Sequence, residues 1–381
     1  MKHTSLLSVT LGILLILTFM SISSCTGNPD KTAIGKIDQF FSSRYSNEQP
    51  GAAVLVMKGD SVIFSKGYGV TDLTSMTPID GNTFFNIASI SKQFSAVALM
   101  MLSAEGKLSL DDTVAKWFPE FESPLMEQIT LRHLLAHTSG IPDARNRADR
   151  EFAVTATDTI SYAYISKLEK LNFTPGTEYE YMNPTYQLMY TIIERASGIK
   201  FDDFMEQKIF KPSGMAESTY FEPLKSIPRK TTAYNFDKET GSYVEYDYGE
   251  ESFFATKADG GLFTSVNEFA KWEIALRNNT LISEQMLKEA HSPKIETSGS
   301  SYSTYQNRPH TYYGYGWFIE EGEGVPTKVY HTGSNGGFRA YAGRFPEQNI
   351  LYLFFSNKSD VDVNEVASNM DTIFKEAGWL Q

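Results

Sequence analysis

Cysteine is all but missing from this chain. Among 381 residues only Cys25 carries a thiol, so no intramolecular disulfide can staple the fold. Positive charge is also short: 34 lysines and arginines face 46 acids, a formal net charge of −12, and no basic cluster stands out. That balance argues against nucleic acid as a partner and against electrostatic attachment to anionic lipid. Several catalytic signatures are missing as well. There is no Gly-x-Ser-x-Gly elbow, so an α/β-hydrolase is unsupported. There is no Gly-x-Gly-x-x-Gly and no phosphate-binding loop, which leaves no cofactor to expect. His133 and His137 stand four apart, a spacing that can hold zinc on one helix face. No glutamate follows His133 and no third ligand is indicated, so no metal is expected. No internal repeat or coiled-coil heptad is present.

Residues 1–24 begin with Lys2 and His3 and run through Leu6, Leu7, Leu11 and Ile13-Leu14-Leu15-Ile16-Leu17. A charged start and an apolar core too short for a spanning helix read as an export signal. The segment ends in Ile22-Ser23-Ser24-Cys25, which resembles a bacterial lipoprotein cleavage box and puts the lone thiol where a lipid is attached. The alternative is an ordinary cleaved signal beside an incidental cysteine. The expected organisation is a lipoprotein signal peptide at 1–24, a short tether at 25–32 containing Gly27, Asn28 and Pro29, and a folded domain at 33–381. This predicts a lipoprotein of the bacterial cell envelope, held to the membrane through Cys25 and facing the periplasm or the exterior.

Roughly 350 residues is long for one core, so two lobes are expected. Ile34, Ile37 and Phe40-Phe41 mark an amphipathic N-terminal helix. Two apolar segments flank Lys58-Gly59-Asp60, from Ala52 and to Tyr68, and predict a β-hairpin. Near the other end, segments on either side of Pro346-Glu347-Gln348-Asn349 predict a second antiparallel pair. Val366, Met370, Ile373 and Phe374 form one stripe of a final helix, and the middle, about 89 to 240, is mainly helical. Ser265-Val266-Asn267-Glu268 fits a capping box. The expected fold class is α+β: an antiparallel sheet from both chain termini flanked by helices, with an inserted mainly helical lobe. A ligand cleft is expected at the lobe boundary.

Three short patterns carry the chemistry: Ser89-Ile90-Ser91-Lys92, Tyr181-Met182-Asn183 and His331-Thr332-Gly333. Residues three apart on a helix share a face, so Ser89 Oγ and Lys92 Nζ come within hydrogen-bond reach. Phe94, Val97, Leu99, Met100 and Leu102 follow at helical spacing and place Ser89 at the start of a helix with one buried side. The unpartnered backbone N–H groups there suit a developing oxyanion, and burial lowers a lysine pKa toward use as a base. A second Ser-x-x-Lys, Ser197-Gly198-Ile199-Lys200, reads as a glycine-capped helix end. Tyr181 follows a Pro175-Gly176 turn and precedes a helix beginning near Pro184. Its phenol suits proton relay, and the Asn183 amide suits a substrate amide. The other Tyr-x-Asn copies, at Tyr45 and Tyr305, fall outside this order. The aromatic run from Tyr312 to Trp317 either borders the cleft or packs the core.

In this order the three patterns resemble those of the serine penicillin-recognising superfamily, and specifically its class C β-lactamases, D-Ala-D-Ala carboxypeptidases, D-aminopeptidases and related esterases. Leu134-Leu135-Ala136-His137-Thr138-Ser139-Gly140-Ile141, Pro212-Ser213-Gly214-Met215 and Asp259-Gly260-Gly261-Leu262 resemble that family's framework segments. The resemblance implies a β-lactamase/transpeptidase-like fold, Ser89 as nucleophile, and Lys92 and Tyr181 as the acid–base pair. It further implies Asn183 as a substrate amide ligand, an oxyanion hole from the Ser89 and Ser334 backbone N–H groups, and Thr332 and Gly333 along the substrate. Where β-lactamases usually carry Lys-Thr-Gly, His331 stands here, mostly neutral at pH 7 but open to charging on acidification. This tilts the expectation toward a serine hydrolase of D-amino-acid peptides or related amides and esters. The alternatives are a class C-like β-lactamase and a non-catalytic receptor for peptidoglycan fragments. The expected partners are a small-molecule or peptide substrate and the membrane, with the protein a monomer.

Overall fold

The computed structural model describes residues 29–146, 149–222, 226–246, 255–297 and 310–380. The signal segment, Cys25 and the Tyr-x-Asn copy at Tyr305 lie outside the described residues. Thirteen strands are labelled in chain order: β1 (Ala52–Lys58), β2 (Ser61–Tyr68), β3 (Phe85–Asn86), β4 (Thr219–Tyr220), β5 (Tyr234–Asp237), β6 (Ser242–Glu245), β7 (Leu262–Thr264), β8 (Ile295–Glu296), β9 (Thr311–Tyr313), β10 (Phe318–Gly322), β11 (Val325–Asn335), β12 (Phe338–Phe345) and β13 (Ile350–Ser356). An eight-stranded antiparallel sheet runs in the order β2-β1-β13-β12-β11-β10-β9-β8, so strands from the two ends of the chain pair, β1 beside β13. Ala53, Leu55 and Met57 of β1 enter one core while Ala52, Val54 and Val56 enter the other. Because successive side chains alternate between faces and both faces are covered, β1 reads as a continuous apolar run.

The helices Pro29–Ser42 and Val363–Glu376 cover one face of this sheet. The first begins within the segment expected as tether. Asp30 accepts from Lys58 Nζ and from Trp379 Nε1, both at 2.8 Å, and so pins residues 29–32 to the folded body. The opposite face carries the helix Val266–Arg277 and the larger core, which continues into the helical lobe. Ser265 caps Val266–Arg277 by accepting the Glu268 N–H, which is half of the expected capping box; the Glu268 carboxylate turns instead to Lys271 and the Glu217 N–H.

The helix Lys92–Ala104 is buried on every side from Lys92 to Met100, not on one side as expected. It threads between the sheet-backed core and the helix Asn183–Ser197, and Phe94 stacks on Trp272 at 4.2 Å between centroids. A helix apolar all round belongs in a core, so a lysine at its first residue is stripped of water. The repeat at Ser197 is structural: Gly198, at φ +73°, caps the helix Asn183–Ser197.

Candidate active site

Ser89 lies in a 3₁₀ turn, Ala88–Ser91, that joins β3 to the helix Lys92–Ala104. The sequence pattern put it at the start of the helix, and the structure sets this turn just ahead of the α-helix. The tighter turn has three residues per turn, so positions three apart eclipse, and Lys92 lines up with Ser89 more directly than in an α-helix. Asn86 builds the approach: its Oδ1 accepts the Ala88 N–H at 3.0 Å and its Nδ2 donates to the Gly260 carbonyl at 3.1 Å. Ala88 itself takes φ +47°, a strained value for a residue with a Cβ.

Lys92 is fully buried, and its Nζ reaches Ser89 Oγ at 3.2 Å, Asn183 Oδ1 at 2.8 Å and the Asp259 carbonyl at 3.0 Å. Burial pulls its pKa from 10.5 down to about 7; the Asp259 carboxylate acts to raise it and the Arg145 guanidinium to lower it. The neutral amine has two N–H bonds and one lone pair. Asn183 Oδ1 and the Asp259 carbonyl only accept, so both N–H bonds go to them and the lone pair is left for the Ser89 hydroxyl. That is the geometry of a general base poised on a nucleophile.

Tyr181 sits two residues before the helix Asn183–Ser197, with Pro184 at the helix start. Its ring centroid lies 4.9 Å from Lys92 Nζ, and it stacks on Phe318 at 6.3 Å. Asn183 is the first residue of that helix, so its carbonyl oxygen turns to Lys92 and its amide nitrogen remains for a ligand.

The third pattern lies on β11, where the ladder to β10 stops at Tyr330 while the ladder to β12 continues to Asn335. Residues 331–335 therefore keep one edge clear of β10. Gly333 is required by a close approach, since a Cβ there would fall 2.2 Å from the Ile87 carbonyl oxygen. Ser89, Tyr181, Asn183, His331, Thr332 and Ser334 line one cleft of about 220 Å³ together with Phe318. Lys92 lies beneath it and Gly333 forms its backing against Ile87. All eight residues predicted for the site are thus brought together.

One expectation is corrected. His331 is buried rather than solvated, and burial with the neighbouring Lys92 lowers its pKa to about 3. Its Nδ1 lies 2.6 Å from the Thr332 carbonyl and its Nε2 3.1 Å from Tyr313 Oη. A carbonyl only accepts, so the proton is on Nδ1 and Nε2 accepts from the tyrosine. The ring is neutral from pH 5 to 8 and offers no titratable cation to a substrate carboxylate. The sequence reading gave no role to Phe318 or Asp259 at the site, and offered Tyr313 only as part of an aromatic run bordering the cleft or packing the core. Their apolar or turn-like surroundings carry no chemical signature, although Asp259 stands in a framework segment that had been noted. His133 accepts the Thr130 N–H in a capping box, and His137 turns to Met182, so the two histidines face separate backbone partners.

A fold with an antiparallel sheet from both chain ends and a Ser-x-x-Lys turn at the lobe boundary defines the serine penicillin-recognising class of hydrolases. The sequence model of the Beta-lactamase family matches residues 37–371, and the chain belongs to that family. Among curated relatives, it is 28% identical over 337 residues to penicillin-binding protein 4* of Bacillus subtilis (strain 168), covering 85% of this chain and 72% of that one. Protein flp of Staphylococcus aureus (strain NCTC 8325 / PS 47) is 26% identical, and the match spans 85% of this chain but only 62% of that relative. Among solved structures, the octameric penicillin-binding protein homologue from Pyrococcus abyssi superposes with a TM-score of 0.78 and 28% identity, covering 91% of this chain and 77% of the other. The D-amino acid amidase from Ochrobactrum anthropi SV3 shares the fold, with a TM-score of 0.73, 21% identity, and 92% and 99% coverage.

Proposed function

We propose that this protein is a serine hydrolase that cleaves D-amino-acid peptides, or related amides and esters, through an acyl-enzyme on Ser89. The observation that carries this is the Lys92 amine, buried against Ser89 Oγ and shifted to about 7. A binding protein has no use for a half-deprotonated lysine beneath a serine, which disfavours a non-catalytic receptor. In the first step Lys92 takes the Ser89 proton as Oγ forms a bond to the carbonyl carbon. The Ser89 and Ser334 N–H groups receive the oxyanion, and Thr332 lines the hole. Tyr181 relays the proton to the leaving nitrogen or oxygen as its bond to carbon breaks, and water then reverses the sequence. Asn183 Nδ2 holds a substrate amide.

A neutral His331 places no permanent cation on β11, so a carboxylate-bearing β-lactam gains less here than at a lysine in that position. This favours peptide, amide or ester substrates over a class C-like β-lactamase function. Cys25, through its lipoprotein-like cleavage box, anchors the enzyme in the bacterial cell envelope, where such substrates occur, and the folded body acts as a monomer. Intact-protein mass spectrometry after incubation with a fluorophosphonate, a penicillin and a pair of D- and L-alanyl esters tests this. The expected result is one adduct on Ser89, lost in Ser89→Ala, with faster turnover of the D-ester. An unlabelled wild type, or a label kept in Ser89→Ala, overturns it.

A further inference from the structure

We propose that His137 is a positioning residue for Tyr181, clamping the chain on both sides of the phenol. The proposal rests on Tyr181 being the proton relay. The helix Leu131–Leu135 ends in a turn where the Thr138 N–H bonds back to the His133 carbonyl at 2.9 Å and His137 takes φ +56°. Glycine is the residue that occupies this left-handed position without strain. A histidine there implies that the ring is needed.

Two bonds show what it does. The Glu180 N–H donates to the His137 carbonyl at 3.0 Å, and the Met182 N–H donates to His137 Nδ1 at 3.2 Å. One residue therefore holds the neighbours before and after Tyr181, and its imidazole packs on the Tyr181 ring at 4.3 Å between centroids. The seam continues outward, with Gly176 N–H to the Thr138 carbonyl at 2.8 Å and Asn172 N–H to the Gly140 carbonyl at 2.7 Å. Thr185 Oγ1 donates to the Met182 carbonyl at 2.7 Å, so Met182 is also held on its carbonyl side by the helix that carries Asn183. His137 is fully buried and does not line the cleft, so it acts on substrate only through Tyr181.

The clamp requires one tautomer. A backbone N–H can only donate, so Nδ1 is unprotonated and the neutral ring carries its proton on Nε2. That Nε2 has no hydrogen-bond partner among the described residues, and the ring lies among Tyr179, Tyr186 and Tyr313. Burial disfavours the imidazolium, and so would a charge on either titratable group that faces it, Lys92 or His331. His137 and His331 thus hold opposite tautomers, Nε2–H and Nδ1–H, around one phenol.

Two measurements on the whole folded protein test this. In ¹⁵N-histidine spectra, His137 should show an unprotonated Nδ1 that does not titrate from pH 5.5 to 9, while His331 shows the opposite tautomer. Kinetics then separate positioning from general damage, because a p-nitrophenolate leaves without a proton and an amine or alkoxide does not. His137→Phe should slow turnover of a D-alanyl amide by about 100-fold, the scale of one general acid, and that of the p-nitrophenyl ester by less than about 5-fold on the same principle. His137→Asn keeps an acceptor near the Nδ1 position and tolerates the left-handed backbone, so it should recover most of the loss. Equal losses on both substrates, or Asn no better than Phe, overturn the clamp. So does a protonated or titrating Nδ1, whether or not the wild type hydrolyses either substrate. A wild type inert toward both, with the tautomer as stated, refutes the hydrolase assignment and leaves the clamp standing.

Discussion

Replacing Lys92 with methionine should uncouple stability from activity in a way that only a buried, deprotonated lysine allows. In the unfolded chain Lys92 titrates near 10.5, and in the fold near 7. Between those values folding expels a proton, so stability falls as pH falls through the window and levels off below about 7. Each pH unit contributes about 1.4 kcal/mol. Allowing for half-protonation of the native state at pH 7, the wild type should lose about 3 kcal/mol relative to Lys92→Met on going from pH 9.5 to 7. Other titrating groups cancel in the difference between the two proteins. The absolute offset also contains the Ser89, Asn183 and Asp259 oxygens that methionine leaves unbonded, so the slope is the quantity to measure. Urea unfolding of both proteins at four or five pH values supplies it. The same shift sets activity: at pH 7 an ordinary lysine is neutral about once in three thousand molecules, whereas this one is neutral about half the time. Phosphonylation of Ser89 should therefore rise with pH along a limb centred near 7, and Lys92→Met should lower it by about a thousandfold or more. A stability difference that stays flat from pH 7 to 9.5 would refute the burial argument even if Lys92→Met were inactive.

Further outcomes follow from the same geometry. Because His331 stays neutral down to about pH 3, a carboxylate-bearing β-lactam and a neutral ester should show the same pH dependence of Ser89 acylation between pH 6 and 8. A separate gain for the anionic substrate on acidification would show that the ring does charge. Gly333→Ala places a methyl 2.2 Å from the Ile87 carbonyl oxygen, two residues from Ser89, and should cut labelling at least tenfold while lowering Tm. Unchanged labelling would mean that the two backbones separate at no cost. Cys25→Ser should release the protein from the membrane fraction or leave it unprocessed, since each buried CH₂ of a lipid adds about 0.8 kcal/mol of anchoring. Wild type that is wholly soluble with a free Cys25 thiol would count against the anchor.

What the sequence determined by itself is a matter of local spacing and period. Ser89 and Lys92 are three apart, the strands that form β1, β2, β12 and β13 flank recognisable turns, and the stripe through Val366, Met370 and Phe374 becomes the helix Val363–Glu376. The Ser265 cap and the glycine stop at Gly198 were legible for the same reason. Each depends on neighbours in the chain, and helical or strand geometry converts such spacing directly into shared faces.

Only the tertiary structure decided the chemistry of the long-range contacts. Nothing near His331 in sequence places Tyr313 beside its Nε2, so its neutrality became visible only with the ring buried. Nothing within the helix Lys92–Ala104 shows that it is enclosed on all sides, and that enclosure lowers Lys92 toward neutral pH against the opposing pull of Asp259, 167 residues away. In the sequence His137 is one of two histidines four apart and a member of a framework segment, whereas its hold on Glu180 and Met182 spans the fold. Proton affinities are set by desolvation and by charges brought close in space, and neither quantity is written in the order of residues.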